Sequence, residues 1–138
     1  MKKYKIGYTT GVYDMFHIGH LNIIKRAKEM CDFLIVGVTT DELCLKRKGK
    51  LPIICEQDRI EIVESIKYVD KVVKQNDMDK LSAVMEYKAD VVFVGSDWKG
   101  TPSWNKYEEE FAKENCDVIY LDHTDGISST ILRERLNK

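Results

Sequence analysis

The chain has almost no surplus charge: 22 Lys and Arg stand against 23 Asp and Glu, a formal net charge of −1. General binding to nucleic acid or to an anionic membrane needs a basic excess, so both partners are argued against. No apolar run approaches the roughly 18 residues of a membrane-spanning helix. Met1-Lys2-Lys3-Tyr4-Lys5 leads straight into a strand pattern with no signal-peptide core. The four cysteines, Cys31, Cys44, Cys55 and Cys116, form no Cys-x-x-Cys pair. Zinc binding and dithiol redox chemistry therefore find no support, and a reduced, cytoplasmic compartment is expected. No Gly-x-Gly-x-x-Gly follows the first apolar run, which disfavours a dehydrogenase. Repeats, low-complexity segments and linkers are absent too. The 138 residues are expected to form a single domain over 1–138.

What is present is an alternation of short apolar runs with helical patterns. Strands are expected over Lys5–Thr10, Phe33–Val38, Val69–Val73, Val91–Val94 and Val118–Leu121. Helices are expected over His17–Cys31, Gln57–Lys67, Met78–Lys88, Trp104–Asn115 and Ser129–Leu136, with Trp104 in the core. Asp41–Cys55 reads as a basic, irregular segment. Phe33-Leu34-Ile35-Val36-Gly37-Val38 is apolar on both faces, as a parallel strand covered on both sides requires. The expectation is an α/β, Rossmann-like sandwich around a five-stranded parallel sheet. Such sheets bind ligands at the carboxyl ends of their strands. The candidate motifs follow strands one, two, four and five, which puts them on that edge.

The first motif is Thr9-Thr10-Gly11-Val12-Tyr13-Asp14-Met15-Phe16-His17-Ile18-Gly19-His20. Gly11 lets the chain turn close to a ligand. His17 and His20 lie three apart and share a helical face in the first turn, where free backbone N–H groups attract anions. Two imidazoles there form a phosphate clamp, able to donate to oxygens whose charge rises in a transition state. Solvent exposure or a metal site are the other readings of the same spacing. The last motif, His123-Thr124-Asp125-Gly126-Ile127-Ser128-Ser129-Thr130, follows strand five and reads as a helix cap that leaves N–H groups for an anion. Between them, Lys46-Arg47-Lys48-Gly49-Lys50 is a cationic loop on the ligand edge, or else a solvated one. Glu56-Gln57-Asp58-Arg59 opens a helix, and Gly95-Ser96-Asp97-Trp98 follows strand four as a turn.

Together these segments resemble the cytidylyltransferase family and, more widely, the H-x-G-H nucleotidyltransferases. Thr9 to His20 resembles G-x-F-D-x-x-H-x-G-H, with Tyr13 in place of Phe. His123 to Thr130 resembles R-T-E-G-I-S-T-S, with His123 in place of Arg. Gly95 to Trp98 resembles the G-D-D-W of the glycerol-phosphate subgroup. The resemblance covers Lys5 to about Leu136 and implies a nucleotidyltransferase-type fold. It implies transfer of CMP from CTP to a small phospho-alcohol, glycerol 3-phosphate first, with release of pyrophosphate. Other acceptors are glycerol 2-phosphate, phosphoethanolamine, phosphocholine or a sugar phosphate. ATP as donor and an inactive nucleotide-binding regulator are the remaining alternatives.

By resemblance the catalytic residues are His17, His20, Ser128 and a bridging lysine at Lys48, with Lys46 second. Substrate contacts are implied for Thr9, Thr10, Gly11, Tyr13, Asp14, Gly19, Lys46, Arg59, Lys67, Gly95, Asp97 and Trp98. In the last motif they are implied for His123, Thr124, Gly126, Ile127, Ser129 and Thr130. Lys67 stands where close relatives have Arg, so at positions 67 and 123 a bidentate fork is lost. Mg2+ is expected with CTP, held by substrate and water rather than a protein cage. The family also implies a homodimer.

Overall fold

The computed structural model describes residues 4–122 and 129–136. Five strands form one parallel sheet: β1 (Tyr4–Gly11), β2 (Cys31–Thr39), β3 (Lys71–Gln75), β4 (Val91–Gly95) and β5 (Asp117–Leu121). Their order is β3-β2-β1-β4-β5. The order reverses between β1 and β4, and a crevice at that reversal is where doubly wound sheets take ligands. The helices are α1 (Ile18–Met30), α2 (Asp41–Lys48), α3 (Glu56–Glu64), α4 (Lys80–Tyr87), α5 (Pro102–Ala112) and α6 (Ser129–Leu136). No helix among the described residues is long and apolar enough to cross a membrane.

Strand alternation sorts the core into two layers. Leu34, Val36, Val38, Val91 and Phe93 point to one face, where Ile24 and Ala27 of α1 and Val63 of α3 cover them. Tyr8, Ile35 and Val92 point to the other, beneath Val84 of α4 and Trp104 and Phe111 of α5. The apolar run of β2 is thus buried on both sides from Leu34 to Val38, as expected, while Phe33 at its start is exposed.

Asp41–Cys55 is not irregular throughout: its first eight residues are α2. The Thr40 side chain accepts from Leu43 N–H, and Asp41 and Glu42 occupy the first turn. Lys46, Arg47 and Lys48 occupy the last, and Gly49 closes the helix in the left-handed region at φ 73°. Acidic start, basic end and glycine stop all complement the helix dipole and its free carbonyls. Cationic density hid a well-signalled helix. A second correction concerns β3, which runs two residues later than its apolar pattern. Its last residue, Gln75, stands at the carboxyl edge opposite Thr39.

Candidate active site

A cavity of about 510 Å3 opens at the carboxyl edge of the sheet. Its first wall is the turn from β1 into α1. Tyr13 and Met15 both hold positive φ, 55° and 50°, an uncommon and costly conformation for non-glycine residues. Gly11 serves this turn differently from expectation. A Cβ there would lie 2.9 Å from the Tyr13 ring, so the missing side chain seats the protein's own tyrosine. Asp14 is buried, and its two oxygens accept from Ile53 N–H (2.9 Å) and Ile54 N–H (2.8 Å). It therefore holds the segment that follows the basic loop.

The two histidines cap α1 reciprocally. His17 Nδ1 accepts from Gly19 N–H at 3.0 Å, and His20 Nδ1 accepts from His17 N–H at 3.2 Å. Each neutral ring must then carry its proton on Nε2, so both present an Nε2–H donor. The rings stack with centroids 3.9 Å apart. Burial lowers the basicity of both. For His20 the charge of His17 adds to it and Asp14 opposes it, leaving a pKa of about 4. His20 lines the cavity. His17 stands behind it, its Nε2 buried and without a hydrogen-bond partner among the described residues.

The second wall faces α4 and α5. Lys80 is only 8% exposed, donates to Thr10 Oγ1 at 3.1 Å and lies 5.8 Å from the Trp104 ring centroid. Burial, with Arg47 nearby, pushes its pKa down to about 8. Thr39, Gln75, Met78, Trp104 and Tyr107 complete this side. Trp104 is core, as expected, but also borders the cavity. Neither Lys80 nor Gln75 was foreseen. Asp79 caps α4 through Ser82 N–H, so the cap was the readable signal and Lys80 the residue it carries inward.

Of the basic loop, Arg47, Lys48 and Lys50 reach the cavity, while Lys46 is exposed, 3.7 Å from Glu42. Arg59 is the main departure. It is 1% exposed and donates to Ile54 O, Val12 O, Thr39 O and Asp41 Oδ1 at 2.6–2.9 Å. With its donors so engaged it joins the ends of β1 and β2 to both helices flanking the loop, and it is not placed to hold a phosphate. Asp41 and Glu56 reinforce this by accepting from each other's backbone N–H. Lys67 is exposed near the start of β3, 5.2 Å from the Tyr68 ring centroid, and does not line the cavity. Thr9 is buried and donates to Phe93 O, yet borders the cavity with Thr10, Gly95 and Trp98. Asp97 is exposed beside Trp98 and Gly19 is buried within α1, neither on the cavity wall. His123, Thr124, Gly126, Ile127 and Ser128 lie outside the described residues. Of Ser129 and Thr130 only the backbone, at the start of α6, is described.

The model of the cytidylyltransferase-like family matches residues 8–135. The chain belongs to this family. Among curated cytidylyltransferase relatives it is 39% identical over 129 residues to the glycerol-3-phosphate cytidylyltransferase of Staphylococcus aureus, covering 93% of this chain and 92% of that one. It is 34% identical over 129 residues to the protein of the same name from Bacillus subtilis, covering 93% and 94%. Among solved structures it resembles a lipopolysaccharide core biosynthesis protein from Thermoplasma volcanium, with a TM-score of 0.72 and 28% identity. That match covers 87% of this chain and 96% of the other. A cytidylyltransferase is a nucleotidyltransferase, and the cavity is equipped for one: a neutral imidazole donor on one wall, a buried ammonium on the other, and three cations at the rim.

Proposed function

We propose that this chain transfers CMP from CTP to glycerol 3-phosphate, giving CDP-glycerol and pyrophosphate. The observation that carries the reading is the pairing, across one cavity, of the fixed His20 Nε2–H donor with the Lys80 ammonium on Thr10. Names and identities of the relatives select the substrates. A phosphate oxygen of the acceptor attacks the α-phosphorus of CTP in line. The new P–O bond forms as the bond from the α-phosphorus to the bridging oxygen breaks, and that oxygen leaves with pyrophosphate and the electron pair. No covalent enzyme intermediate is needed, so catalysis is positioning and charge stabilisation.

In this reading His20, braced by His17, donates to triphosphate oxygens whose charge grows as the bond breaks. Lys80 holds the acceptor phosphate. Lys48 at the rim bridges the two anions as they approach, since an ammonium can serve both without a fixed plane. Ser128 and its neighbours keep, by family resemblance, their roles around CTP. Magnesium enters as the counter-ion of the triphosphate. Among the described residues no three His, Cys, Asp or Glu side chains stand together as a metal site, and both Asp14 oxygens already accept backbone N–H. A cytoplasmic homodimer supplying activated glycerol to an envelope polymer or phospholipid completes the proposal. The test is pyrophosphate release from labelled CTP or ATP with a panel of phospho-alcohols. Turnover with CTP and glycerol 3-phosphate is expected; preference for ATP, or silence with every acceptor, overturns it.

A further inference from the structure

Gln75 is a buried amide whose hydrogen bonding is half complete. It ends β3 at the carboxyl edge, is 7% exposed and borders the cavity. Thr39, its register partner on β2, donates from Oγ1 to Gln75 Oε1 at 2.7 Å. On the nitrogen side the described contact is Met78 Sδ, 3.8 Å from Nε2. A thioether accepts weakly and donates nothing, so the nitrogen faces the sulfur and the oxygen faces Thr39. The amide is thereby oriented, with two N–H groups and one weak acceptor between them. Buried N–H groups are normally paired, and one left incomplete beside a cavity marks a place for an incoming oxygen.

The neighbourhood says which oxygen. A phosphate finds its cation at Lys80, held on Thr10 of β1. Gln75 lies on β3, two strands away, or about 10 Å between backbones. A neutral carboxamide suits a neutral hydroxyl better than a second anion. We infer that Gln75 is a specificity-determining residue that donates a carboxamide N–H to a hydroxyl of the acceptor, with Thr39 as the residue that fixes its orientation. The inference rests on the proposed reading of this cavity as the seat of a short polyol phosphate, and it adds which residue reads the polyol.

The experiment is steady-state kinetics of pyrophosphate release with CTP and three acceptors: glycerol 3-phosphate, propane-1,2-diol 1-phosphate and propane-1,3-diol phosphate. The enzymes are wild type, Gln75→Leu, Gln75→Glu and Thr39→Val, each first checked by thermal melting. Gln75→Leu is expected to raise the KM for glycerol 3-phosphate roughly 3–10-fold, the size of one neutral hydrogen bond, with kcat and the KM for CTP unchanged. The wild type should show a similar loss with one of the two deoxy acceptors, and that acceptor should lose nothing further in Gln75→Leu. Gln75→Glu keeps the shape and the Thr39 bond while removing both N–H groups, so it stands in where the leucine variant melts early. Thr39→Val should shift the same KM in the same direction, by less. If the Gln75 variants impair CTP as much as acceptor, or penalise both deoxy acceptors as much as the parent, the inference is overturned while the cytidylyltransferase reading stands. Wild type silent with all three acceptors and CTP would overturn both.

Discussion

The wall built on α1 and the wall built on α4 and α5 both suit anions, by opposite physical means. The first uses neutral groups: the His20 imidazole with its proton fixed, braced by His17, and the turn from β1 into α1. It is encoded in twelve contiguous residues, Thr9 to His20, and strained at two of them. The second uses a charge, the Lys80 ammonium, taken out of water against Trp104 and anchored on Thr10. Its parts come from β1, β2, β3, α4 and α5, with no two adjacent in sequence. The difference teaches that donors which must strengthen as charge develops are best neutral and rigid. A group that must bind a dianion before reaction is best a desolvated cation, whose attraction is larger where water is thin.

The largest effect is expected beneath both walls, where Arg59 ties the ends of β1 and β2 together. Arg59→Met leaves the Asp41 carboxylate without its closest cation and two strand-end carbonyls without donors. Denaturant unfolding should show a loss of about 3–5 kcal/mol, the usual result of breaking a buried charge pair. The first wall is tested by His20→Asn, which keeps an acceptor for His17 N–H but has no Nε2 donor. The rate should fall about 10²–10³-fold with little change in melting temperature. A loss of the fold instead would mean that the ring's part is structural.

Lys80→Met tests the second wall. The acceptor KM should rise roughly 10–100-fold, the range of a charge-assisted hydrogen bond, while the KM for CTP stays near wild type. Acidity sharpens the contrast. Lys80 is charged below its pKa of about 8, so acceptor binding should weaken as pH rises through that value. His20 behaves in the opposite sense. Its folded pKa of about 4 lies below the ordinary 6.5, so the unfolded chain takes up the proton first as pH falls. Stability from this group is therefore present above 6.5 and lost between 6.5 and about 4, by up to ~3 kcal/mol. Subtracting the His20→Asn unfolding curve from that of wild type should isolate this slope. The smallest effect belongs outside the cavity: Lys46→Ala should change neither stability nor turnover by more than about 1 kcal/mol, as for other exposed pairs. Lys48→Ala should slow turnover.

Legibility followed the same division. The parallel sheet was readable because β2 is apolar on both faces, and the first wall because its residues are consecutive. Lys80 and Gln75 went unseen because each is an ordinary residue at an ordinary place, the first position of a helix or the end of a strand. Only the three-dimensional convergence of five elements gives them meaning. The error at β3 had the same root: the apolar signal stops at Val73, whereas pairing with Thr39 carries the strand on to Gln75. Arg59 misled in the other direction. A lone arginine on the ligand edge suggests phosphate, but its planar fork can equally gather four backbone and carboxylate oxygens, and here it does.

The reciprocal cap on α1 ties helix initiation to acid–base chemistry. Adding a second proton to either ring would thrust a hydrogen against an amide that already points at the same nitrogen. Unravelling the first turn and charging the imidazole are therefore one event, not two. Any evolved or engineered shift of this enzyme toward acid tolerance would have to redesign how the helix begins before it could alter the chemistry at the ring edge.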